Sequence, residues 1–203
     1  NKSEKYPFLT NKIKEQKNLL MNMVRTSGFY FAEINTKVMK NENNSVDVVY
    51  TFNLGKRAII KKINFIGNKI FKDSKLRNVI KSEEGRFWKI ISTDKYLNEQ
   101  KVKLDESLLF KYFKNKGYYN VKIKSSYAKI IGNKFFELNF NIDAGNKYYF
   151  NDITMKVDTN FSDENFSKLD KIFKNLKGKK YSINSLNKIL NEISSIAIQK
   201  ECR

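Results

Sequence analysis

Five acidic residues are the side chains of this sequence that could carry out general acid–base chemistry. A pair of carboxyl groups can exchange a proton with a substrate when their environments separate their pKa values. Here the carboxyl groups fall at the ends or on the faces of predicted helices, where they usually interact with the helix dipole or with water. We therefore expect a structural role for Glu83, Glu84, Asp94, Asp105 and Glu106.

The composition excludes most other catalytic chemistry. Histidine is absent, and Cys202 is the only cysteine. Ser-His-Asp and Cys-His nucleophilic sites, histidine-ligated metals and intramolecular disulfides are thereby excluded. A phosphate-binding loop is also missing. The sequence therefore indicates a protein that is not an enzyme and that holds no cofactor or metal.

The charge balance raises a second class of function. The chain of 203 residues has a net charge of +19, and clustered positive charge favours nucleic acid or anionic membrane as a partner. Nearly all of this charge is lysine, whose A- and T-rich codons point partly to genome composition. The Gly-x-x-Gly clamp of KH domains is missing, and the strand aromatics share a face with the aliphatic residues. We expect no nucleic acid as a partner, although a basic nucleic-acid-binding α/β module stays the alternative.

The two ends of the sequence suggest a piece of a longer protein. Residues 1–10 are polar and lack the apolar segment of a signal peptide, and the chain does not start with methionine. A continuous apolar window of about 20 residues, as a membrane-spanning helix needs, is also missing. The sequence itself therefore says little about localisation.

A repeat of about 90 residues organises the chain. Gly28 recurs 89 residues later as Gly117, and Gly55 recurs 90 residues later as Gly145. Apolar residues alternate with polar ones after Gly28 and again after Gly117, which predicts strands with one buried face. The strand after Gly117 is expected to place Tyr119, Val121, Ile123 and Tyr127 on one face, with Lys122, Lys124 and Ser126 on the other.

The repeat predicts one complete unit at residues 55–144, with the order β-α-α-β-β. A strand at 59–66 precedes a first helix capped by Asp73, and a second helix begins near Thr93 or Asp94 and ends at Gly117. A turn at residues 132–133 joins the last two strands. Residues 1–54 hold the last three elements of another unit. Residues 145–203 hold a first strand over Phe150, Ile153, Met155 and Val157, followed by two helices.

The central unit resembles the polypeptide-transport-associated (POTRA) family of outer-membrane assembly factors. The resemblance rests on an I-x-F-x-G-N first strand and on a second helix that ends in an aromatic pair and G-Y. It is carried by residues 63–69, Phe71, Leu76, residues 95–97, Asp105, residues 108–109, Tyr112 and residues 117–119. Residues 85–91 resemble the long inter-helix loop of α-proteobacterial members, in the third of five domains.

The resemblance implies an α+β fold of tandem domains, each with a three-stranded mixed sheet covered by two helices. It also implies a position at the periplasmic face of the outer membrane, ahead of a C-terminal barrel. The implied partners are unfolded outer-membrane β-barrel proteins, accessory assembly lipoproteins and adjacent POTRA domains. A two-partner secretion or translocation pore with the same kind of domain is the nearer alternative.

The resemblance also suggests where a client would bind. An unpaired sheet edge offers backbone N–H and C=O groups to an incoming strand, so that binding follows extended conformation more than sequence. Lysines on such an edge ordinarily protect it against aggregation, and a preference for acidic clients is the alternative. The expected edge strand comprises Tyr118, Tyr119, Asn120, Val121, Lys122, Ile123, Lys124, Ser125, Ser126 and Tyr127.

One apolar cluster fits neither a strand nor a helix stripe. It consists of Phe87, Trp88, Ile90 and Ile91. We expect it to pack against the ends of the two helices of the central unit. The alternative is an exposed patch that contacts a neighbouring domain, a partner or the membrane surface.

Overall fold

The structure, a computed structural model, describes residues 7–43, 45–67, 70–88, 91–156 and 167–201. Within these ranges, none of the helices combines the length and the hydrophobicity needed to cross a bilayer. The elements in chain order are α1 (Pro7–Thr26), β1 (Glu33–Lys40), β2 (Val46–Asn53), β3 (Ile59–Gly67), α2 (Asp73–Arg77), α3 (Glu99–Asn115), β4 (Lys122–Ile130), β5 (Phe135–Asp143), α4 (Ser167–Leu176) and α5 (Ile183–Glu201).

The central unit has the predicted fold. Its three strands lie in the order β3-β5-β4, with β5 in the middle. β3 runs parallel to β5 and β4 runs antiparallel to it, so the sheet is mixed. The parallel pair requires a crossover between β3 and β5, and α2 and α3 lie in that connection.

The helix-facing side of this sheet supplies the core. Side chains of β3 and β5 alternate between the two faces, and the buried ones are large and apolar. Phe65 stacks on Phe140 with ring centroids 5.7 Å apart. Two positions of α3 spaced four residues apart, Leu109 and Phe113, are fully buried against them. Leu104 of the same helix is 48% exposed, because it lies on another side of the helix.

Of the two helices of the central unit, α2 begins one residue earlier than predicted and α3 begins later. Lys72, not Asp73, is the residue before α2, and Asp73 lies in the first turn, where its charge complements the helix dipole. α3 begins at Glu99 because Asn98 caps it: its side chain accepts a hydrogen bond from the Lys101 N–H. The preceding residues are instead held by β3, through a hydrogen bond from Leu97 N–H to Ala58 C=O.

The first group of elements repeats the second half of the central unit. α1, β1 and β2 correspond to α3, β4 and β5, and β1 and β2 form a two-stranded antiparallel sheet. Among the described residues, a strand equivalent to β3 is not found beside β2. Several apolar side chains of β2 are exposed, including Val49 at 42% and Phe52 at 42%.

The third group is helical in its described part. Leu169 of α4 and Ile189 of α5 are buried against each other and form its small core. The strand predicted over residues 150–157 does not form in the described part, where Tyr149 makes a single bridge with Lys180. In the central unit β3 forms by pairing with β5, and within the described ranges residues 150–156 have no such partner strand. Val157 lies outside the described residues.

Consecutive groups meet through the same backbone joint. The Gly28 carbonyl accepts a hydrogen bond from the Ala58 N–H at 2.8 Å, and the Gly117 carbonyl accepts one from the Tyr148 N–H, also at 2.8 Å. Both glycines have positive φ, 92° and 105°. A Cβ on Gly28 would lie 2.9 Å from the Cβ of Tyr96, so a larger residue would be strained and would separate the two groups.

The cap of each following helix belongs to the same joint. Asn98, which caps α3, also donates from Nδ2 to the carbonyl of Thr26, the last residue of α1. In the next joint Ser182 precedes α5 and donates from Oγ to Oδ1 of Asn115, the last residue of α3, at 3.0 Å. One side chain thus tethers the start of a helix to the end of the equivalent helix before it.

Candidate peptide-binding edge

The outer edge of β3 is covered at Ile60 and Ile63. The Gly85 N–H donates to the Ile60 carbonyl at 2.7 Å, and the Ile60 N–H donates to the Lys95 carbonyl at 2.8 Å. Further along the strand, side chains take the place of a neighbouring backbone. Glu84 accepts from the Ile63 N–H, and Arg77 donates to the Ile63 carbonyl. The loop before α3 and Arg77 of α2 therefore occupy this edge at Ile60 and Ile63.

The opposite edge is β4, and no other strand in the described ranges pairs with its outer side. β4 starts at Lys122, so the predicted edge of Tyr118–Tyr127 is wrong at its beginning. Residues 118–121 form a turn closed by a hydrogen bond from Val121 N–H to the Tyr118 carbonyl. The edge also continues past Tyr127 to Ile130.

The residues of this turn are occupied by internal contacts. Tyr118 and Val121 are buried in the central core, at 9% and 4% exposure, and are closed to a client. Tyr119 packs edge-on against the ring of Tyr181 at 5.0 Å, and Asn120 donates to the Tyr148 hydroxyl at 2.9 Å. These two side chains belong to the joint with the third group.

A β-bulge at Lys124 changes which side chains face the helices. The register of β4 against β5 shifts between Ile123 and Ser125, so one extra residue lies in β4. Ser126 consequently points toward α3, where its hydroxyl bonds to Glu106, and Tyr127 points to the other face. The predicted placement of Tyr127 with the apolar residues and of Ser126 with the lysines is therefore wrong.

The lysines of the edge differ in their surroundings. Lys122 is exposed, whereas the Lys124 ammonium lies 2.9 Å from the carboxylate of Asp143. This hydrogen bond, together with one from the Gly145 N–H, holds the pKa of Asp143 below its ordinary value. Lys124, at the bulge, is thus paired with Asp143 of the neighbouring strand β5, whereas Lys122 stays exposed at the edge.

Small side chains of β4 leave a cavity beside α3. Ser126 lies opposite Phe140 and Ala128 opposite Leu138, so that small edge residues stand beside large buried ones. The space beside them is a cavity of about 340 Å³. Its lining combines apolar side chains with polar ones and includes Tyr30 from the first group, together with Leu97, Glu99, Val102, Lys103, Glu106, Ser126, Tyr127, Ala128 and Leu138.

The five acidic residues all have structural partners. Asp105 is fully buried and accepts from the Lys81 N–H at 2.6 Å and from the Ser82 N–H at 3.3 Å. Burial raises its pKa above the ordinary value, although these hydrogen bonds act in the other direction. The remaining partners are Ser92 for Glu83, Arg77 and Arg86 for Glu84, Lys101 for Asp94 and Ser126 for Glu106.

The expectation that the tryptophan cluster packs against the helix ends is wrong. Phe87 is 85% exposed, Trp88 60% and Ile91 95%. Ile90 lies outside the described residues. The exposed side chains lie in the long loop between α2 and α3, at some distance in sequence from both helices. The cluster is instead an exposed patch, as the alternative interpretation has it.

Comparison with known proteins agrees with this architecture. The POTRA family model, described as surface antigen variable number repeat, matches residues 58–145. The chain is 27% identical over 164 residues to the outer membrane protein assembly factor BamA of Neisseria meningitidis, covering 80% of this chain and 20% of the relative. It is 30% identical over 91 residues to BamA of Neorickettsia risticii, covering 45% of this chain and 12% of the relative.

A solved structure shares the fold. The crystal structure of Haemophilus influenzae BamA POTRA3-5 superposes with a TM-score of 0.52 at 16% identity, covering 90% of this chain and 68% of that one. The chain spans about a fifth or less of the length of the two curated relatives described above. Residues 58–145 thus match the POTRA family model, and the β-α-α-β-β order, the mixed sheet and these similarities support a POTRA region of the BamA type.

Proposed function

We propose that this chain is the periplasmic, client-binding part of an outer-membrane protein assembly factor. It receives unfolded β-barrel proteins by adding one of their strands to the outer edge of β4. The observation that carries the proposal is the contrast between the two sides of the central sheet: the edge of β3 is covered, and the edge of β4 is open. The names of the curated relatives support a role in assembly.

The open edge suits clients of many sequences. Along an antiparallel edge strand, alternate residues direct their N–H and C=O groups outward, and an extended chain satisfies them whatever its side chains are. The bulge at Lys124 leaves Ser125–Ile130 as the regular part of this edge. A client therefore pairs with about six residues, which is a usual strand length.

The cavity beside α3 supports the same assignment. A strand added to β4 would place every second side chain on the helix-facing side of the sheet, beside Ser126 and Ala128. The cavity there is lined in part by Leu97, Val102 and Leu138, and it has room for a large apolar side chain. Strands of outer-membrane barrels carry apolar residues at alternate positions, which matches this spacing.

An outer-membrane assembly factor would have further partners besides its clients. Adjacent POTRA domains and a C-terminal barrel would complete the factor, and accessory assembly lipoproteins would bind its domains. Linked domains raise the effective concentration of further binding edges, so weak contacts at each edge combine into useful affinity. β1, the equivalent of β4 in the first group, is the next such edge.

Site-directed photocrosslinking tests the proposal. A photoreactive residue is placed in turn at each position from Ser125 to Ile130, and the chain is mixed with an unfolded outer-membrane protein. We expect client crosslinks that alternate along the strand with a period of two. The matched control is the same scan along β3, whose edge is covered. Crosslinks of equal strength on both strands, or crosslinks only to an added nucleic acid, would contradict strand addition.

A further inference from the structure

The exposed patch sits at the tip of a loop with a firmly held neck. The neck is closed by a hydrogen bond from the Glu83 N–H to the Asp94 carbonyl at 3.0 Å, and the Ser92 hydroxyl donates to the Glu83 carboxylate at 3.1 Å. Gly85 and Lys95 attach both sides of the neck to β3 through Ile60. Hydrogen bonds thus hold the neck of the loop in place, and the exposed side chains lie beyond it. We define the tip as Arg86, Phe87, Trp88 and Ile91.

The tip is apolar and almost fully accessible to solvent. Its three large apolar side chains have exposures of 85%, 60% and 95%. Phe87 and Trp88 pack edge to face against each other, with ring centroids 4.4 Å apart, and neither belongs to the central core. Leaving such side chains in water is unfavourable, so a tip of this kind indicates a contact surface.

The tip, as defined above, carries one charged side chain, that of Arg86. The Arg86 guanidinium lies over the Trp88 ring, 5.6 Å from its centroid. Of the acidic side chains of the neck, Glu84 pairs with Arg77 and with Arg86 itself, Asp94 lies 2.7 Å from the Lys101 ammonium, and Glu83 accepts from the Ser92 hydroxyl. The whole chain adds a net charge of +19. A surface that attracts this region is therefore negatively charged.

We propose that this tip inserts into an anionic lipid surface. Tryptophan and phenylalanine favour the boundary between headgroups and acyl chains, and an arginine beside them binds headgroup phosphates. A protein partner usually requires about 800 Å² of matched surface on each side, which three projecting side chains do not provide. A lipid surface adapts to a narrow projection. This contact lies at the inter-helix loop and is independent of the edge of β4.

Intrinsic fluorescence tests the insertion directly, because Trp88 is the only tryptophan of the chain. The whole chain is titrated with vesicles of phosphatidylcholine alone and with vesicles that also contain phosphatidylglycerol. We expect a blue shift of the Trp88 emission and protection from acrylamide quenching with the anionic vesicles, and a smaller effect with the neutral ones. Unchanged emission with both vesicles would overturn the proposal and leave a protein as the partner of the tip.

Two variants separate insertion from simple charge attraction. Phe87→Ser with Ile91→Ser removes apolar surface at exposed positions, so we expect an unchanged melting temperature but a loss of most sedimentation with anionic vesicles. Tyr149→Ser is the matched control, because Tyr149 is also an exposed aromatic residue, at 59%, outside the loop. It should bind as the unmodified chain does. Equal sedimentation of the double variant would show attraction by charge alone and would refute insertion.

Discussion

Asp105 is a carboxyl group in the middle of α3 with no exposure to water. It holds the end of the segment after α2 by accepting hydrogen bonds from two consecutive backbone N–H groups, those of Lys81 and Ser82. Buried N–H groups without an acceptor are costly, which explains why a polar residue occupies this core position. The sequence pattern placed Asp105 on a helix face, but it could not show that this face is covered by the chain after α2.

Replacing Asp105 by alanine should lower the free energy of unfolding by roughly 1–3 kcal/mol, because two buried N–H groups lose their acceptor. Asp105→Asn is the matched control, since an amide oxygen can accept the same bonds without carrying charge. Urea denaturation of the three proteins at neutral pH measures the difference. An alanine variant as stable as the asparagine variant would contradict this role.

The raised pKa of Asp105 predicts a pH dependence. The folded protein holds this proton more tightly than the unfolded chain does, whose ordinary value is 3.8. The resulting stabilisation is complete below that value and is lost as the pH rises through the folded-state pKa. Relative to Asp105→Asn, the unmodified chain should therefore lose stability as the pH is raised above about 4. A constant difference between the two proteins across this range would show that burial does not shift the group.

Ala128 and Ser125 offer a matched pair on the proposed binding edge. They lie on opposite faces of β4, with Ala128 beside the cavity and Ser125 away from it. Ala128→Phe should fill the space meant for a client side chain and weaken binding of a peptide with alternating Phe and Thr by about tenfold, the value of one buried aromatic side chain. Ser125→Phe adds the same bulk on the other face and should have little effect.

Fluorescence anisotropy of the labelled peptide measures both affinities. Equal affinities for Ala128→Phe and the unmodified chain would remove the cavity from the binding site, although strand addition at the edge could still be seen by crosslinking. Loss of binding in both variants would instead point to a disturbed edge.

At the scale of elements, the bulge in β4 distinguishes the central sheet from the first one. β1 and β2 pair without a register shift, whereas β4 contains one extra residue at Lys124. Bulges twist an edge strand and discourage pairing between two copies of a protein. If clients bind at this edge as proposed, the bulge favours a flexible client over a second folded sheet.

Deleting Lys124 should remove the bulge and keep the fold, because Ile123 and Ser125 would then follow the regular alternation of β1. The straightened edge should promote association between copies, and the pKa of Asp143 should return toward its ordinary value. Sedimentation velocity at several concentrations measures the association. Lys124→Ala keeps the extra residue and is the control; association of this variant as well would mean that charge, not backbone shape, protects the edge.

The sequence predicted the order of elements in the central unit, and the spacing of its repeat also reflects the bulge in β4. The repeat and the alternating apolar residues predicted the order β-α-α-β-β, which is confirmed. The spacing grows from 89 residues between Gly28 and Gly117 to 90 between Gly55 and Gly145, and the inserted residue is the bulge. Strict alternation missed it, because an insertion of one residue reverses the faces of everything after it.

The residue at which β4 begins and the exposure of the loop between α2 and α3 could not be predicted from the alternation of apolar residues. Tyr118 and Val121 continue the apolar alternation of a strand, yet they lie in a turn whose side chains complete the core. Trp88 and Phe87 are residue types that are usually buried. The hydrogen bonds of Gly85 and Lys95 with Ile60 hold the base of their loop at the edge of β3, outside the core. Both outcomes depend on contacts between residues far apart in sequence, which local patterns do not contain.

At the scale of the whole molecule, the three groups form an array with repeated joints. The division at 1–54, 55–144 and 145–203 stays a prediction, although the family match at residues 58–145 overlaps the middle unit closely. Each joint combines a backbone hydrogen bond to a glycine with a cap side chain that reaches the preceding helix. Two tethers at separate points restrict rotation between neighbours more than a single linker does.

Asn98→Asp should loosen the first joint without destabilising α3. Aspartate caps a helix as well as asparagine does, but it cannot donate to the Thr26 carbonyl. Spin labels at the exposed positions Leu19 and Lys111 report the distance between α1 and α3. We expect a broader distance distribution at an unchanged melting temperature, whereas an identical distribution would assign the joint to its backbone bond alone.

The glycine joints have an evolutionary consequence. Their bonds link main-chain groups, Gly28 C=O with Ala58 N–H and Gly117 C=O with Tyr148 N–H, so the bond itself excludes only proline on the donor side, although burial of Ala58 keeps that residue small. Alanine in one joint and tyrosine in the other illustrate this tolerance. Mutation can therefore change the surface of each unit while the spacing and order of the units are inherited unchanged.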